Sequence, residues 1–173
     1  MRVPAGRLVR PTPDRVREAV FSILSDRVVD ARVLDLYAGS GSLGLESLSR
    51  GAESAVFVEA SRPVAEVIRE NIATVRAEEA ATVMVGDARE VLRRLEREGR
   101  LFDLVFLDPP YRDQVAVATL EALEGVLEPG GWAIVDHPAR EGLPERVGQR
   151  LQQVKRRAWG EVAVAFYAVM EEE

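Results

Sequence analysis

The sequence predicts a doubly wound α/β fold, and three observations carry that expectation. Short runs rich in Val, Leu and Phe alternate with amphipathic stretches between residues 32 and 136. The short runs are nearly continuous in apolarity, as strands covered on both faces of a parallel sheet are. The C-terminal part then breaks the alternation: Leu151–Trp159 and Glu161–Met170 are two extended runs joined through Gly160, which reads as an antiparallel pair. The expected architecture is a seven-stranded, mostly parallel sheet with helices on both faces and a C-terminal antiparallel hairpin.

Taken in order, Thr12 and Pro13 read as an N-cap and a first-turn proline. Val16, Ala19, Val20, Ile23 and Leu24 then recur at helical spacing, so a first helix runs into the region of Asp26. The parallel strands are expected at Arg32–Tyr37, Ser54–Val58, Thr82–Val85, Phe102–Leu107 and Trp132–Asp136. Between them, Val64, Val67, Ile68 and Val75 mark one helix face, Val91, Leu92 and Leu95 the next, and Val115, Ala118, Ala122, Leu123 and Val126 the last. No repeat or linker divides the chain. The expected organisation is a basic N-terminal arm over residues 1–12, a single domain over 13–170 and an acidic tail over 171–173.

Composition narrows the class. At 173 residues the chain can bury a core without a covalent staple. It has no Cys, which excludes a disulfide framework, a thiolate nucleophile and a zinc-thiolate site. The first residues lack the apolar core of a secretory signal, and the run Val162 to Met170 is far shorter than the roughly 20 residues of a membrane helix. A soluble cytoplasmic protein without a membrane partner is expected. The net charge is −6, yet residues 1–17 hold Arg2, Arg7, Arg10, Arg15 and Arg17 against Asp14 alone, a local +4 on a body of −10. A basic arm on an acidic body can meet phosphates, or it can be only a solvated helix start.

Between the first strand and the helix after it stands Asp35-Leu36-Tyr37-Ala38-Gly39-Ser40-Gly41-Ser42-Leu43-Gly44. Glycines there permit a tight turn and the approach of a ligand to backbone N–H groups. Glu59 follows 20 residues after Gly39, at the end of the second strand, where a carboxylate can accept from ribose hydroxyls. Dinucleotide enzymes and S-adenosylmethionine enzymes share this pattern. Asp35 favours the latter, because a carboxylate suits the ammonium of a methionine moiety and opposes the phosphates of a dinucleotide. Asp35 could instead brace the loop. Asp87, in Gly86-Asp87-Ala88, can accept from an adenine amine or cap the helix that begins there, and the two roles are compatible.

The fourth strand runs directly into Asp108-Pro109-Pro110-Tyr111. Ligands of open α/β sheets bind beyond the carboxyl ends of strands, so this segment faces the glycine loop if strand four neighbours strand one. Two prolines stiffen the backbone and leave carbonyls as its polar groups. The exocyclic amine of a base is a poor nucleophile, its lone pair being delocalised into the ring. The Asp108 side chain and the Pro109 carbonyl could accept its two hydrogens, favour a pyramidal nitrogen and stabilise the positive charge that grows on it. Tyr111 offers a face for stacking, an interaction worth roughly 1–3 kcal/mol.

Together, the opening Arg10-Pro11-Thr12-Pro13-Asp14-Arg15-Val16-Arg17-Glu18-Ala19, the Asp35–Gly44 loop, Phe57-Val58-Glu59 and Asp108–Tyr111 resemble the bacterial RsmD-type 16S rRNA (guanine-N2)-methyltransferases, over most of the chain from Arg10 to about Tyr167. The Asp-Pro-Pro-Tyr segment is widespread among amino methyltransferases, whereas the Arg-Pro-Thr opening is specific. The resemblance implies a Rossmann-like methyltransferase fold, S-adenosylmethionine as donor, no metal, and a guanine amine of small-subunit ribosomal RNA as acceptor, in naked RNA or in an assembled particle. The cofactor set it implies is Thr12, Asp35, Tyr37, Gly39, Ser40, Gly41, Glu59, Asp87 and Ala88. Asp108, Pro109, Pro110 and Tyr111 would hold the amine and base, and Arg10, Arg15 and Arg17 the RNA.

Two further polar residues attract notice. Asn71 shares the apolar face of its helix and should be buried, bracing a loop near the cofactor. His137, the only histidine, follows Asp136 and reads as a satisfied residue rather than a base, because an amine made cationic by methylation loses its proton readily. The rivals are a DNA or protein-glutamine methyltransferase, a non-catalytic nucleoside- or RNA-binding module and an NAD-dependent oxidoreductase. A DNA enzyme generally needs an additional recognition domain, glutamine-modifying enzymes favour Asn where Asp108 stands, a non-catalytic module has no need of Asp108–Tyr111, and Asp35 opposes the oxidoreductase.

Overall fold

Among the residues described by the computed structural model, 13–109 and 113–171, alternating apolar and amphipathic segments become alternating strands and helices. The chain divides into two compact units, Met1–Val91 and Leu92–Glu173.

In the first unit, helix α1 (Asp14–Leu24) buries Val16, Val20, Phe21 and Leu24, the face its spacing predicts, and a 3-10 turn over Ser25–Val28 follows. Its N-cap position is Pro13, with no side-chain cap, so the expected Thr12 cap is displaced; Thr12 itself lies outside the described residues. Strands β1 (Arg32–Leu36), β2 (Ser54–Glu59) and β3 (Ala81–Val85) run parallel in the order β3-β2-β1, with Leu36 level with Val58 and Glu59 level with Val85. Helices α2 (Ser42–Ser49) and α3 (Arg62–Thr74) make the crossovers. The core gathers on β1 and β2, where Val33, Leu34, Leu36, Phe57 and Val58 are essentially inaccessible.

Two expectations need correction here. Strand β3 is not covered on both faces: it is the sheet edge in this unit, and its five residues are all partly or fully exposed. Val75 does not join the buried face of α3. That face is Ala65, Ile68, Asn71 and Ile72, and the helix has ended when Val75 is reached, leaving it 56% exposed.

Helix α4 (Ala88–Arg97) spans the boundary between the units and buries Val91, Leu92 and Leu95 as expected. In the second unit, β4 (Phe102–Leu107) pairs in parallel with β5 (Leu127–Pro138), and α5 (Asp113–Leu123) connects them. The buried positions of α5 are Ala116, Thr119, Leu120 and Leu123. The expected face, which took in Val115, Ala118 and Ala122, is rotated by about one residue. Its Ala and Val residues surround the helix, so periodicity does not fix the phase.

Beyond β5 the order is β8-β7-β6, all antiparallel: β6 (Arg146–Val147), β7 (Leu151–Trp159) and β8 (Val162–Val169). The β7–β8 hairpin turns through Gly160 at φ +61°, as expected. The described strands number eight rather than seven, because the two-residue β6 is too short to leave a periodic signal in the sequence. Tyr167, buried within β8, donates its hydroxyl to the Pro144 carbonyl, and burial pushes its pKa up to about 12.

Candidate functional site

In the first unit the predicted residues meet at the carboxyl ends of three parallel strands. After β1 the backbone turns left-handed at Tyr37 (φ +56°), Gly39 (φ +58°) and Gly41 (φ +83°), and Gly41 is the N-cap of α2. The turn is tied on three sides. Ala38 N–H donates to the Val58 carbonyl of β2 at 3.0 Å, Asn71 Nδ2 donates to the Ser40 carbonyl at 2.9 Å, and Gly44 N–H donates to Asp35 Oδ2 at 3.0 Å. Asn71 is therefore buried and loop-bracing, as expected.

Asp35 is 2% exposed, and its carboxylate receives an N–H at the start of α2, where helix N–H groups favour negative charge. The bracing role that the sequence left open is thus present. Gly44 serves packing: a Cβ there would stand 2.3 Å from the Phe57 ring. The glycine pattern accordingly combines a turn, a helix start and a close helix–strand contact.

At the end of β2, Glu59 is half-buried, and its Oε2 accepts from Ser61 N–H at 3.2 Å. At the end of β3, Gly86 N–H donates to the Glu59 carbonyl at 3.0 Å, which holds the next loop beside it. Asp87 Oδ1 then accepts from Arg89 N–H at 3.0 Å and Glu90 N–H at 3.2 Å, so Asp87 caps α4, and Ala88 is buried behind it. The loop, Glu59 and Asp87 lie side by side, as parallel register requires. Of the predicted basic residues, Arg15 is exposed, while Arg17 is half-buried and paired with Asp14 at 3.0 Å. Arg10, Thr12, Pro110 and Tyr111 lie outside the described residues.

In the second unit, Asp108 and Pro109 are half-buried at the carboxyl end of β4. Register sets Leu107 level with Val135, so the next residues, Asp108 and Asp136, are neighbours where the β4–β5 pairing stops, while β5 continues to Pro138 against β8. Burial, and after it the charge of Asp136, raises the Asp108 carboxyl from the ordinary carboxylate range to about 8; burial raises Asp136 to about 6. Asp136 is the site residue that sequence reasoning missed. The available signal was the repetition of Leu-Asp-Pro after β4 as Val-Asp-His-Pro in β5, an acid directly after the apolar run of each of two neighbouring strands. His137 is buried, and its Nδ1 lies 3.0 Å from the Pro138 carbonyl oxygen; the expectation of a satisfied residue holds for that nitrogen only, because Nε2, also buried, makes no hydrogen bond among the described residues.

Three acids on the carboxyl ends of β1 to β3 are suited to ammonium, ribose hydroxyl and amine donors, and the strand-end carboxyl with a proline carbonyl is suited to a second amine. Among the described residues no group of His, Asp and Glu is arranged to hold a metal, and no helix is long and apolar enough to cross a membrane.

Comparison with known proteins agrees with these features. A family profile described as "Conserved hypothetical protein 95" matches residues 1–168. Ribosomal RNA small subunit methyltransferase D of Escherichia coli K12 is 37% identical over 171 residues, covering 95% of this chain and 82% of that protein. YlbH of Bacillus subtilis is 34% identical over 169 residues, covering 96% and 91%. The solved structure of yhhF from Escherichia coli superposes with a TM-score of 0.87 at 36% identity, covering 99% of this chain and 92% of that one. On the glycine turn, the strand-end acids and this whole-length similarity, the chain belongs to the conserved hypothetical 95 family, the RsmD-type S-adenosylmethionine-dependent rRNA methyltransferases.

Proposed function

We propose that this protein methylates the exocyclic N2 amine of a guanine in small-subunit ribosomal RNA, with S-adenosylmethionine as donor, in the bacterial cytoplasm. The observation that carries the reading is the acceptor pair at the end of β4, the Asp108 carboxyl followed by the Pro109 carbonyl, in a chain similar along its length to a ribosomal RNA small subunit methyltransferase. The family match over residues 1–168 supports reading 13–170 as one domain.

When bound, S-adenosylmethionine supplies an electrophilic methyl on a sulfonium. Asp35 faces the methionine ammonium while bracing the loop, Glu59 accepts from ribose hydroxyls, and Asp87 accepts from the adenine amine while capping α4. Tyr37, Gly39, Ser40, Gly41 and Ala88 form the surrounding wall, with Thr12 at the methionine end. Asp108 and the Pro109 carbonyl accept the two amine hydrogens and orient the nitrogen lone pair, and their attraction grows as that nitrogen turns cationic. Pro110 keeps the segment stiff and Tyr111 stacks on the base. Arg10, Arg15 and Arg17 contact RNA phosphates, Arg17 exchanging Asp14 for a phosphate.

The test supplies labelled S-adenosylmethionine with unmethylated small-subunit RNA, naked and as assembled particles, and maps the labelled nucleotide. A guanine N2 product is expected. Asp108→Ala should reduce transfer by roughly 100- to 1000-fold while calorimetric affinity for the donor stays within a few-fold. Tight NAD binding without S-adenosylmethionine binding would overturn the reading.

A further inference from the structure

Asp108 and Asp136 each follow the last matched pair of β4 and β5, Leu107 and Val135, Asp108 just past the end of β4 and Asp136 on β5, which continues to Pro138 against β8. Two half-buried acids on neighbouring strands, where the β4–β5 pairing stops, are not what sheet stability asks for, because like charges side by side repel. Among the described residues of this unit, the groups along β5, β8 and α5 do not neutralise them. On β8 the residues opposite Asp136 and its neighbours are Val162, Ala163, Val164 and Ala165, without a titratable group. On its own strand the adjacent titratable group is His137, buried and directed at the Pro138 carbonyl. Helix α5, among its described side chains, carries the single acid Glu121, exposed and about two turns along the helix. Beyond β8, the Arg156 guanidinium is engaged at the Ala139 carbonyl at 2.8 Å.

We propose that Asp136 is a positioning residue for the amine site: from the adjacent strand its carboxylate deepens the negative potential at the Asp108 oxygens and makes them a stronger acceptor for a nitrogen that becomes cationic. The inference rests on the reading of Asp108 as the amine acceptor. A carboxylate of raised proton affinity binds a developing positive charge more tightly than an ordinary one, so the gain falls on the transition state rather than on the neutral bound base. The consequence is a pH dependence. The raised pKa of Asp108 means that its charged, accepting form is lost as pH falls through about 8. The two carboxyls titrate as a pair, one proton shared between them over the neutral range.

The experiment pairs two readouts on the full chain, carbon-detected NMR titration of the aspartate carboxyls and the pH profile of methyl transfer to small-subunit RNA. With Asp136→Asn, the Asp108 midpoint should fall by about one pH unit or more. The acid limb of the rate profile should move down with it, and the alkaline plateau should drop several-fold; Asp136→Glu should restore both. A lower rate without movement of the limb would mean a merely structural role and overturn the inference. An Asp108 midpoint unchanged in Asp136→Asn overturns it whether or not methyl transfer is seen, whereas a shifted midpoint in an enzyme that methylates no RNA overturns the proposed function and leaves the pairing standing. Should Asp136→Asn fail to fold, Asp136→Ser gives the same measurement: the Asp108 midpoint must again fall, and an unchanged midpoint overturns the pairing.

Discussion

Gly44 occupies a position that no side chain can share with Phe57. Replacing it by Ala sets two effects against each other. Within a helix the change gains about 0.5–1 kcal/mol of backbone entropy, while a Cβ 2.3 Å from a fully buried ring must force that ring or α2 to move, at about 1–3 kcal/mol or more. The clash should win, so Gly44→Ala should lower the midpoint of chemical denaturation, and Phe57→Leu in the same chain should recover part of the loss. The sequence announced this glycine as part of a nucleotide-loop pattern but could not separate its packing role from that of Gly39 and Gly41, which supply the left-handed turn. Asp35 was likewise visible as an anomaly inside a strand, whereas its bond to Gly44 belongs to the folded turn. Asp136 passed unnoticed because an acid directly after the apolar run of a strand is ordinary. Its meaning comes from Asp108, 28 positions away in the chain and next to it only through the β4–β5 register.

Among the elements, α4 depends most visibly on one residue. Asp87 accepts from two N–H groups of its first turn, so Asp87→Ala should destabilise the protein by about 1 kcal/mol. If the same carboxylate also receives the adenine amine, affinity for S-adenosylmethionine should fall with it. Asp87→Asn, which keeps a capping oxygen and loses the charge, separates the two effects when calorimetry is set beside denaturation. Apart from β6, the strands could be read from the chain, and so could helices α1, α3 and α4, because their apolar periods are clean up to the misplaced Val75. The phase of α5 could not, since alanine and valine on several sides give it no dominant stripe. Glu124 shows a second kind of blindness: its Oε1 accepts from Arg150 N–H at 2.6 Å and Leu151 N–H at 3.2 Å, fixing the entry to β7 across 26 residues of sequence. Nothing local to Glu124 signals that duty.

On the scale of the whole molecule, the two raised carboxyls make stability depend on pH in an unusual direction. Each has a higher proton affinity folded than unfolded, so its contribution is complete below the ordinary carboxylate range and is lost as pH rises through about 6 for Asp136 and about 8 for Asp108. Thermal melts should show the melting temperature falling between pH 5 and pH 9, at no more than about 1.4 kcal/mol per pH unit for each proton released, and Asp108→Asn should flatten the slope. The fold class followed from the sequence because burial of alternating strands is a property of the whole pattern, while the extra strand β6 escaped because two residues make no pattern. That short strand has its own effect. It pairs with β7 only at Leu151 and Gln152, so among the described residues the outer side of β7 from Val154 to Trp159 has no neighbouring strand. An open run of backbone donors and acceptors is a template on which a second copy could extend the sheet. Lys155, Arg156 and Arg157 stand along that run, and antiparallel addition of an identical strand would bring them against their own counterparts. Among the described residues no strand covers this side of the sheet, so electrostatic repulsion between like chains opposes its extension, and raised ionic strength would weaken the barrier.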